Sequence, residues 1–581
     1  MRWYTQQTDS QVVHDLEEEL GLLPPVATSL VLRGKTSVES AQHFLQPRLS
    51  HIADPFCVPN LKICAERILK AIDNRDSISI CGDYDVDGIT ATTILVSFLR
   101  DYHLKPHFFI PRRKTEGYGM SRTMVDRMLA NGQPKLVIAL DCGTNAVEEI
   151  KYLRSRGCEV IVIDHHRTLE DSAGVPASIL VNPNSIWSAA PEYSPLCTAG
   201  LVFKVVHGVV KMLRSRGDKH ALQMNLREYL DLVAMGTITD ISPLVGENRV
   251  MVWFGLQQMR LTKREGVLAI IQASRVGDRA EIVPTDISRR IGPRINASGR
   301  LADAALPVEM LLSNSASRCR ELAKQLCEMN ASRQEIEHRV FEEAKQQIRE
   351  LGYENKKGIV AVGDWHTGVV GIVAGRLARI YNKPCIVLGF EGEYAKGSGR
   401  SVKGVNLLEL LKTLPQESLE TWGGHPMATG ITAYRNKIEK LRNDFEVALE
   451  NYTQNPNCTY VVEEKILITK WLDKKDLTLE LFNQVSKLMP FGEGNPEPIF
   501  GLSNIPVPQI ITFSSYGAEK IDSFRFETTI ENGVKVTFMG HNMDVLPISG
   551  QRVDLAIKLS FSYYNGNRYP KVEIVDWHSC F

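Results

Sequence analysis

Residues 77–88 read SISICGDYDVDG, an apolar run that ends in Asp83, Asp85 and Asp87 at alternate positions. Four more apolar runs follow: HFFIP at 107–111, KLVIAL at 135–140, EVIVI at 159–163 and ILVNP at 179–183. Stretches of helical composition separate them, such as ITATTILVSFLRDY at 89–102 and NAVEEIKYLRSRG at 145–157. Short, continuously apolar, β-rich runs alternating with helices predict βαβ units and a parallel sheet. The C-terminal ends of the strands in such a sheet converge on the binding crevice. Three of the runs end in acid: the first in Asp83, Asp85 and Asp87, the third in Asp141, the fourth in Asp164 followed by His165 and His166. The pattern therefore predicts a cluster of carboxylates and imidazoles in space.

Taken singly, each aspartate also suits a helix N-cap, because a helix follows each one. Together they would raise one another's pKa unless a cation sat among them. Carboxylates with one or two imidazoles suit Mn²⁺ or Mg²⁺, and the lack of thiolate ligands argues against structural zinc. On an extended segment Asp85 and Asp87 point to one side, so each can serve a different ion of a pair, with Asp141 placed to bridge them. Two ions about 3.5 to 4 Å apart activate a water and steady a leaving oxygen, the arrangement used in phosphoester hydrolysis. Adjacent His165 and His166 diverge, so one is expected to be a ligand and the other to face the substrate. By itself, Asp240 in AMGTITDISPL (234–244) reads as a turn-initiating residue.

At 581 residues the chain exceeds one hydrophobic core, and about three or four domains are expected. With 43% hydrophobic and 23% charged residues it has the composition of a globular protein, not of a disordered chain or coiled coil. Lys+Arg and Asp+Glu both number 68, so any basic surface must be local. The 11 cysteines are scattered with no C-x-x-C, which indicates neither a zinc knuckle nor a disulfide framework. No apolar stretch approaches the roughly 18 residues needed to span a bilayer, so a cytoplasmic protein without membrane attachment is expected.

Between 314 and 352, Leu322, Leu326, Met329, Ile336, Val340, Ala344, Ile348 and Leu351 recur at mostly three- and four-residue intervals. They predict one long amphipathic helix connecting two lobes. A second α/β-like block begins at KKGIVAVGD and runs to about residue 450. After NYTQNPNC the composition turns to alternating strands, with Asn532-Gly533 and Asn565-Gly566 as hairpin signals. A small β-barrel or sandwich is expected there.

DYDVDG, DCG, DHH and GTITDISPL occur in the order and spacing of the four motifs of the DHH-superfamily phosphoesterases, which the chain resembles. That resemblance implies that Asp85, Asp87, Asp141, His165 and Asp240 ligate two divalent cations, Mn²⁺ or Mg²⁺, with Asp83 close by and His166 near the scissile phosphate. Some DHH branches, such as family II pyrophosphatases, have a histidine ligand four residues before the first paired aspartate, where this chain has Cys81. TWGGHPMATG (421–430) carries the Gly-Gly-His of a DHHA1 domain. SVESAQHFLQPRLSHIADPF, FIPRRKTEGYGMS, IGPRINASGRL and MPFGEGNPEPIF are similar to segments of the RecJ family, bacterial single-strand-specific 5′→3′ DNA exonucleases.

The expected fold is therefore multidomain α/β: a parallel-sheet DHH catalytic lobe, a long connecting helix, an α/β DHHA1 lobe and a C-terminal β-barrel of the OB-fold type. Its expected bounds are an N-terminal helical segment 1–72 packing on the catalytic lobe, the DHH domain 73–313, the helix 314–352, the DHHA1 domain 353–450 and the OB-fold 458–581. A nuclease also needs anion contacts, and Arg112-Arg113-Lys114, Arg289-Arg290 with Arg294 and Arg300, Arg376, and Arg400 with Lys403 form local basic clusters. The resemblance implies that Arg113, Ser398 and Arg400 hold a 5′-terminal phosphate, that Asn296 and Arg300 hold nucleotides near the metals, and that Gly423, Gly424 and His425 touch substrate. Phe561, Tyr563, Tyr564 and Tyr569, interleaved with basic residues, are candidates for stacking on bases. Implied partners are single-stranded DNA with a 5′ end, a single-strand-binding protein and a helicase, with the chain a monomer. The alternatives are a DHH phosphodiesterase for short oligonucleotides or cyclic dinucleotides, and a non-catalytic DHH-like scaffold that binds DNA.

Overall fold

The computed structural model describes residues 2–117, 119–168, 174–187, 190–277, 281–301, 304–454, 465–514, 521–530, 533–543, 545–564 and 567–580. The chain divides into two compact units. One gathers Met1–Gly299, Asp303–Lys324 and Lys465–Phe581; the other holds Arg300–Ala302 and Gln325–Glu464. The C-terminal sheet thus shares a unit with the catalytic sheet, although the second unit lies between them in sequence.

The five apolar runs at the start of the first unit form one all-parallel sheet in the order His107–Phe109, Ile78–Cys81, Leu136–Leu140, Glu159–Ile163, Ile179–Val181. Strands buried on both faces have no polar side to show, and Leu136–Leu140 is buried throughout. The helix Val86–Asp101 packs against Thr198–Ser215 and Leu230–Thr239. Two of its three buried threonines are satisfied locally, with the Thr90 and Thr93 hydroxyls each donating to the carbonyl four residues back at 2.8 Å, whereas the Thr92 hydroxyl has no hydrogen-bond partner among the described residues. Register pairs Cys81 with Ala139 and Leu140 with Ile163. Asp83, Asp141 and Asp164 therefore leave adjacent strands at the same edge of the sheet.

The long helix runs over Ala316–Glu350. Leu322, Leu326, Val340, Ala344 and Ile348 are buried along its stripe, as the periodicity requires. Leu351 lies past the last helical residue and is 42% exposed, so the stripe ends one position early. In the second unit Val340, Phe341, Ala344 and Ile348 join a core built on a five-stranded sheet. Its order is Thr421–His425, Ala428–Tyr434, Tyr394–Arg400, Cys385–Glu391, Ile359–Gly363, and only the last two strands are parallel.

The C-terminal domain is a seven-stranded sheet in the order Trp471–Leu472, Phe500–Pro506, Arg552–Tyr564, Asn567–Ser579, Lys535–Gly540, Ser523–Thr529, Ile511–Phe513. Arg552–Tyr564 and Asn567–Ser579 pair antiparallel, with Tyr564 opposite Asn567. Asn565, Gly566 and Asn532 themselves lie outside the described residues. The N-terminal segment does more than cover the catalytic lobe. Leu16, Val26 and Leu30 share a hydrophobic cluster with Phe482, Phe500 and Leu555 of the C-terminal domain, while Leu61–Asn74 packs on Thr198–Ser215. An apolar stripe dictates that a helix is covered but not by what. No helix among the described residues is long and apolar enough to cross a membrane.

Candidate active site

Asp85 is the N-cap of Val86–Asp101: its Oδ1 accepts from the amides of Asp87 at 2.9 Å and Gly88 at 3.1 Å. The extended-strand spacing expected for Asp85 and Asp87 is therefore wrong. The backbone turns helical at Val86, and Asp87 projects from the first turn of a helix. That turn folds tightly over Asp83, for a Cβ on Gly88 would stand 2.6 Å from the Asp83 carbonyl oxygen. Only glycine fits there.

Asp141 follows the strand Leu136–Leu140 with φ of +61°, a left-handed conformation that costs a non-glycine residue energy unless its surroundings enforce it. Its amide donates to the Ile163 carbonyl at 3.1 Å, and its Oδ1 accepts from the Thr198 hydroxyl at 2.9 Å. Asp240 ends the helix Leu230–Thr239, and its Oδ2 accepts from the Ser242 hydroxyl at 2.5 Å.

His165 reaches into this group. Its Nε2 lies 3.3 Å from Asp141 Oδ1, 3.8 Å from Asp240 Oδ1 and 3.9 Å from Asp87 Oδ2. Donor atoms of Asp83, Asp85 and Asp141 lie within 4.8 Å of one another, as do those of Asp87, His165 and Asp240, and those of Asp141, His165 and His166. Asp141 and His165 each belong to two of these sets. Two adjacent polydentate sites rich in oxygen, with imidazole and no thiolate, fit hard divalent cations.

Electrostatics point the same way. Burial, then the nearby Asp141, pushes Asp83 up to about 7, and burial with the repulsion of Asp141 and Asp240 pushes Asp87 up to about 8. Asp85 and Asp240 are also raised, chiefly by burial. Burial would raise Asp141 too, but the hydrogen bond and charge of His165 hold it below the usual range. For His165 burial disfavours charge, yet its bond to Asp141 and the charges of Asp240, Asp141 and Asp87 lift it to about 10. The carboxylates thus demand positive charge in their midst. Asp83 Oδ1 is buried without a hydrogen-bond partner among the described residues, which leaves a lone pair open to a cation.

Asp164 does different work. Its Oδ1 accepts from the amides of His165 at 2.8 Å and His166 at 3.1 Å, and contacts His166 Nδ1 at 2.7 Å; its Oδ2 accepts from the Thr144 amide at 3.1 Å. It fixes both histidines. The charge of Asp164 lifts His166 to about 11, and the His166 ring is the more exposed of the two. Thr198 was not anticipated. Its amide and that of Ala199 donate to the two carboxylate oxygens of Asp87, at 2.7 and 2.8 Å. The helix they begin has Cys197 at its N-cap and no side-chain cap of its own, the one signal in the sequence that its first amides need an acceptor from elsewhere.

Of the remaining expected residues, Asn296 lies on Gly292–Leu301, a helix whose Gly299 packs on the Tyr84 ring, and Asn296 Oδ1 has no hydrogen-bond partner among the described residues. Arg300 Nη1 donates to the Gly368 carbonyl at 3.0 Å. The side chains of Arg113 and Tyr564 lie outside the described residues. In the second unit register sets Arg400 opposite Ala428 and Ala428 opposite His425, and likewise Ser398, Gly430 and Gly423, so these residues share one end of the sheet. The strand Thr421–His425, including Gly424, is exposed on both faces. The Ser398 hydroxyl donates to the Thr429 carbonyl at 2.9 Å and accepts from Arg400 Nη1. Arg376 instead lies over the Phe341 ring, 3.8 Å from its centroid. Phe561 packs edge-on against Phe482, whereas Tyr569 is 45% exposed.

Three family models match the chain: the DHH family, N-terminal domain, over residues 77–237, the DHHA1 domain over 355–451 and the RecJ OB domain over 469–576. The chain is 32% identical over 582 residues to the single-stranded-DNA-specific exonuclease RecJ of Bacillus subtilis (strain 168), covering 99% of this chain and 70% of that protein. The crystal structure of RecJ in complex with Mn²⁺ from Thermus thermophilus superposes with a TM-score of 0.80 at 26% identity, covering 100% of this chain and 80% of that one. The complex of RecJ with Mg²⁺ from the same organism gives 0.73 at 25% identity, covering 100% and 79%. With three domain models in order and this identity along nearly its whole length, the chain belongs to the RecJ family of single-stranded-DNA-specific exonucleases.

Proposed function

We propose that the chain degrades single-stranded DNA from its 5′ end, hydrolysing phosphodiester bonds to release 5′ mononucleotides. The observation that carries this reading is the run of three donor sets, linked to one another through Asp141 and His165. In this reading Asp85, Asp87, Asp141, His165 and Asp240 would hold two divalent cations, with Asp83 beside the site. When bound, such a pair supplies activation of the attacking water and neutralises charge on the phosphate.

The protein's own groups do the rest. His166, protonated and backed by Asp164, is placed to donate to a phosphate oxygen. Asn296 and Arg300 hold the nucleotides next to the cut. Arg113, Ser398 and Arg400 take the 5′-terminal phosphate through charge-assisted bonds. Gly423, Gly424 and His425 touch the strand, and an exposed glycine-rich edge lets a backbone approach closely. Water adds to the first internucleotide phosphorus, the P–O3′ bond breaks, and the 3′ oxygen leaves with a proton. The next nucleotide then carries the new 5′ phosphate. From the resemblance we also infer a cytoplasmic monomer that works beside a single-strand-binding protein and a helicase in DNA repair and recombination.

A gel time course on a 5′-phosphorylated, 3′-labelled single strand tests this, with Mn²⁺ or EDTA and beside the same strand annealed as a blunt duplex. Progressive shortening of the labelled single strand, only with metal, is the expected result. Immediate release of labelled mononucleotide would mean attack from the 3′ end and would overturn the polarity.

A further inference from the structure

The segment MPFGEGNPEPIF (489–500) lies between the helix Leu479–Ser486 and the strand Phe500–Pro506 of the C-terminal domain. Its middle nevertheless packs on the loop that carries Asp240. The Leu244 amide donates to the Glu493 carbonyl at 2.7 Å. Gly494, at φ of +69°, lies so near that a Cβ would stand 3.1 Å from both Pro243 Cβ and Val245 Cγ1.

The turn itself is rigid. Gly492 and Asn495 exchange both backbone hydrogen bonds, at 3.0 and 3.1 Å. The Asn495 side chain, in a residue only 1% exposed, donates to the carbonyls of Leu488 at 2.9 Å and Pro490 at 2.8 Å, and accepts from Arg33 Nε at 2.8 Å. The helix Gly246–Leu261, which follows the Asp240 loop, grips the residue just before this segment, which the Asn495 side chain also holds: Arg249 Nη1 donates to the Leu488 carbonyl at 3.0 Å. Asn248 closes the loop by donating to the Pro243 carbonyl at 3.0 Å.

The loop needs such a grip. Ile241, next to Asp240, is β-branched and sits at φ of +61°, a conformation that persists only where the surroundings over-determine it. Its side chain is 69% exposed and contributes little packing. The restraint on this loop therefore comes from the residues either side: Ser242 on Asp240, and the C-terminal segment on Pro243, Leu244 and Val245. We infer that the Gly492–Asn495 turn is a positioning element of the metal site, which sets the loop 240–245 and through it the placement of Asp240. The C-terminal domain then contributes to cation binding as well as to DNA binding. This inference rests on the reading of Asp240 as a metal ligand.

The test uses the full-length protein without DNA, with Mn²⁺ binding followed by the EPR signal of the free ion and folding by thermal melting. Gly494→Ala crowds Pro243 and Val245 and removes no polar group. The variant should melt cooperatively yet bind Mn²⁺ about tenfold more weakly, as loss of a supporting contact does at other metal sites. Its exonuclease rate should recover to within about twofold of the parent at saturating Mn²⁺. Unchanged Mn²⁺ affinity in the folded variant, or a rate loss that Mn²⁺ does not restore, overturns the inference. If Gly494→Ala does not fold, Gly494→Asn tolerates the left-handed backbone and still crowds the loop. Parental Mn²⁺ affinity in that variant is equally fatal. Failure of the parent protein to bind Mn²⁺ would instead remove the metal-site reading itself.

Discussion

The amide of Thr198 donates to Oδ2 of Asp87 over 2.7 Å, joining residues 111 positions apart in the chain. The Ala199 amide holds the other oxygen at 2.8 Å, and the Thr198 hydroxyl turns to Asp141 Oδ1 at 2.9 Å. One helix start thus fixes two carboxylates, Asp87 from the first turn of Val86–Asp101 and Asp141 from the end of the strand Leu136–Leu140. The amides at a helix N-terminus lack partners within the helix and carry the positive end of its dipole, so a buried carboxylate satisfies both needs.

Thr198→Val keeps the shape and the backbone amide but removes the hydroxyl that steadies Asp141. The concentration of Mn²⁺ needed for half-maximal rate should rise about tenfold, while the rate at saturating Mn²⁺ changes little. A titration of initial rate against Mn²⁺ measures both. An unmoved midpoint would show that Asp141 is held well enough by its backbone alone.

Asp141→Asn should abolish cleavage and spare DNA binding. Asparagine tolerates the left-handed backbone that Asp141 adopts, so the substitution removes charge without adding strain. The rate should fall more than about a hundredfold, with binding of a fluorescent single strand in EDTA unchanged. Retained turnover would rule out the bridging role.

Much of this was legible in the sequence for one physical reason: a parallel sheet buried on both faces must be written in continuous apolar runs, and acid at three of their ends has one place to meet. The stripe from Leu322 to Ile348 marked the long helix in the same way. What the sequence hid was partnership across distance. Nothing local tells that Thr198 serves Asp87, or that Leu16 and Leu30 share a core with Phe500. Asp85 and Asp87 misled because the alternate spacing of a strand and the start of a helix look alike over three residues. Arg376 stacks on Phe341, a pairing only the fold brings about.

Glu116 should matter to DNA binding without touching DNA. Its Oε2 accepts from the Arg112 amide at 2.8 Å, and Arg127 grips both of its oxygens, at 2.7 and 2.9 Å, which pins the short helix Arg113–Glu116. Glu116→Gln weakens that grip. The KM for a 5′-phosphorylated strand should rise about fivefold, near 1 kcal/mol, with kcat unchanged. Burial would raise the Glu116 pKa, but Arg127 and the Arg112 amide win and hold it below 4.5. A depressed carboxylate contributes stability in full above its unfolded pKa and loses it as pH falls through the folded one. The melting-temperature gap between parent and Gln variant should therefore be constant from neutral pH down to about 4.5 and close below it. A gap that ignores pH throughout would mean that Glu116 acts through packing rather than charge.

Arg400 offers the sharpest test of how a 5′ end is chosen. Its guanidinium is oriented by the Ser398 hydroxyl and by the Gly399 carbonyl at 2.9 Å, and Gly371, on the helix Thr367–Tyr381, leaves the space beside it open: a Cβ there would stand 3.3 Å from Arg400 Nη2. A guanidinium fixed in this way suits a terminal phosphate, which carries more charge than an internal one and presents more acceptor oxygens. Losing one charge-assisted contact costs about 1.5 to 3 kcal/mol. Arg400→Ala should therefore lower kcat/KM on a 5′-phosphorylated strand by about 10- to 150-fold. The same strand ending in a 5′ hydroxyl never had that contact to lose, so its lower rate should barely change. Equal losses on both strands would place Arg400 on the internal backbone, and the choice of end would then have to come from another group.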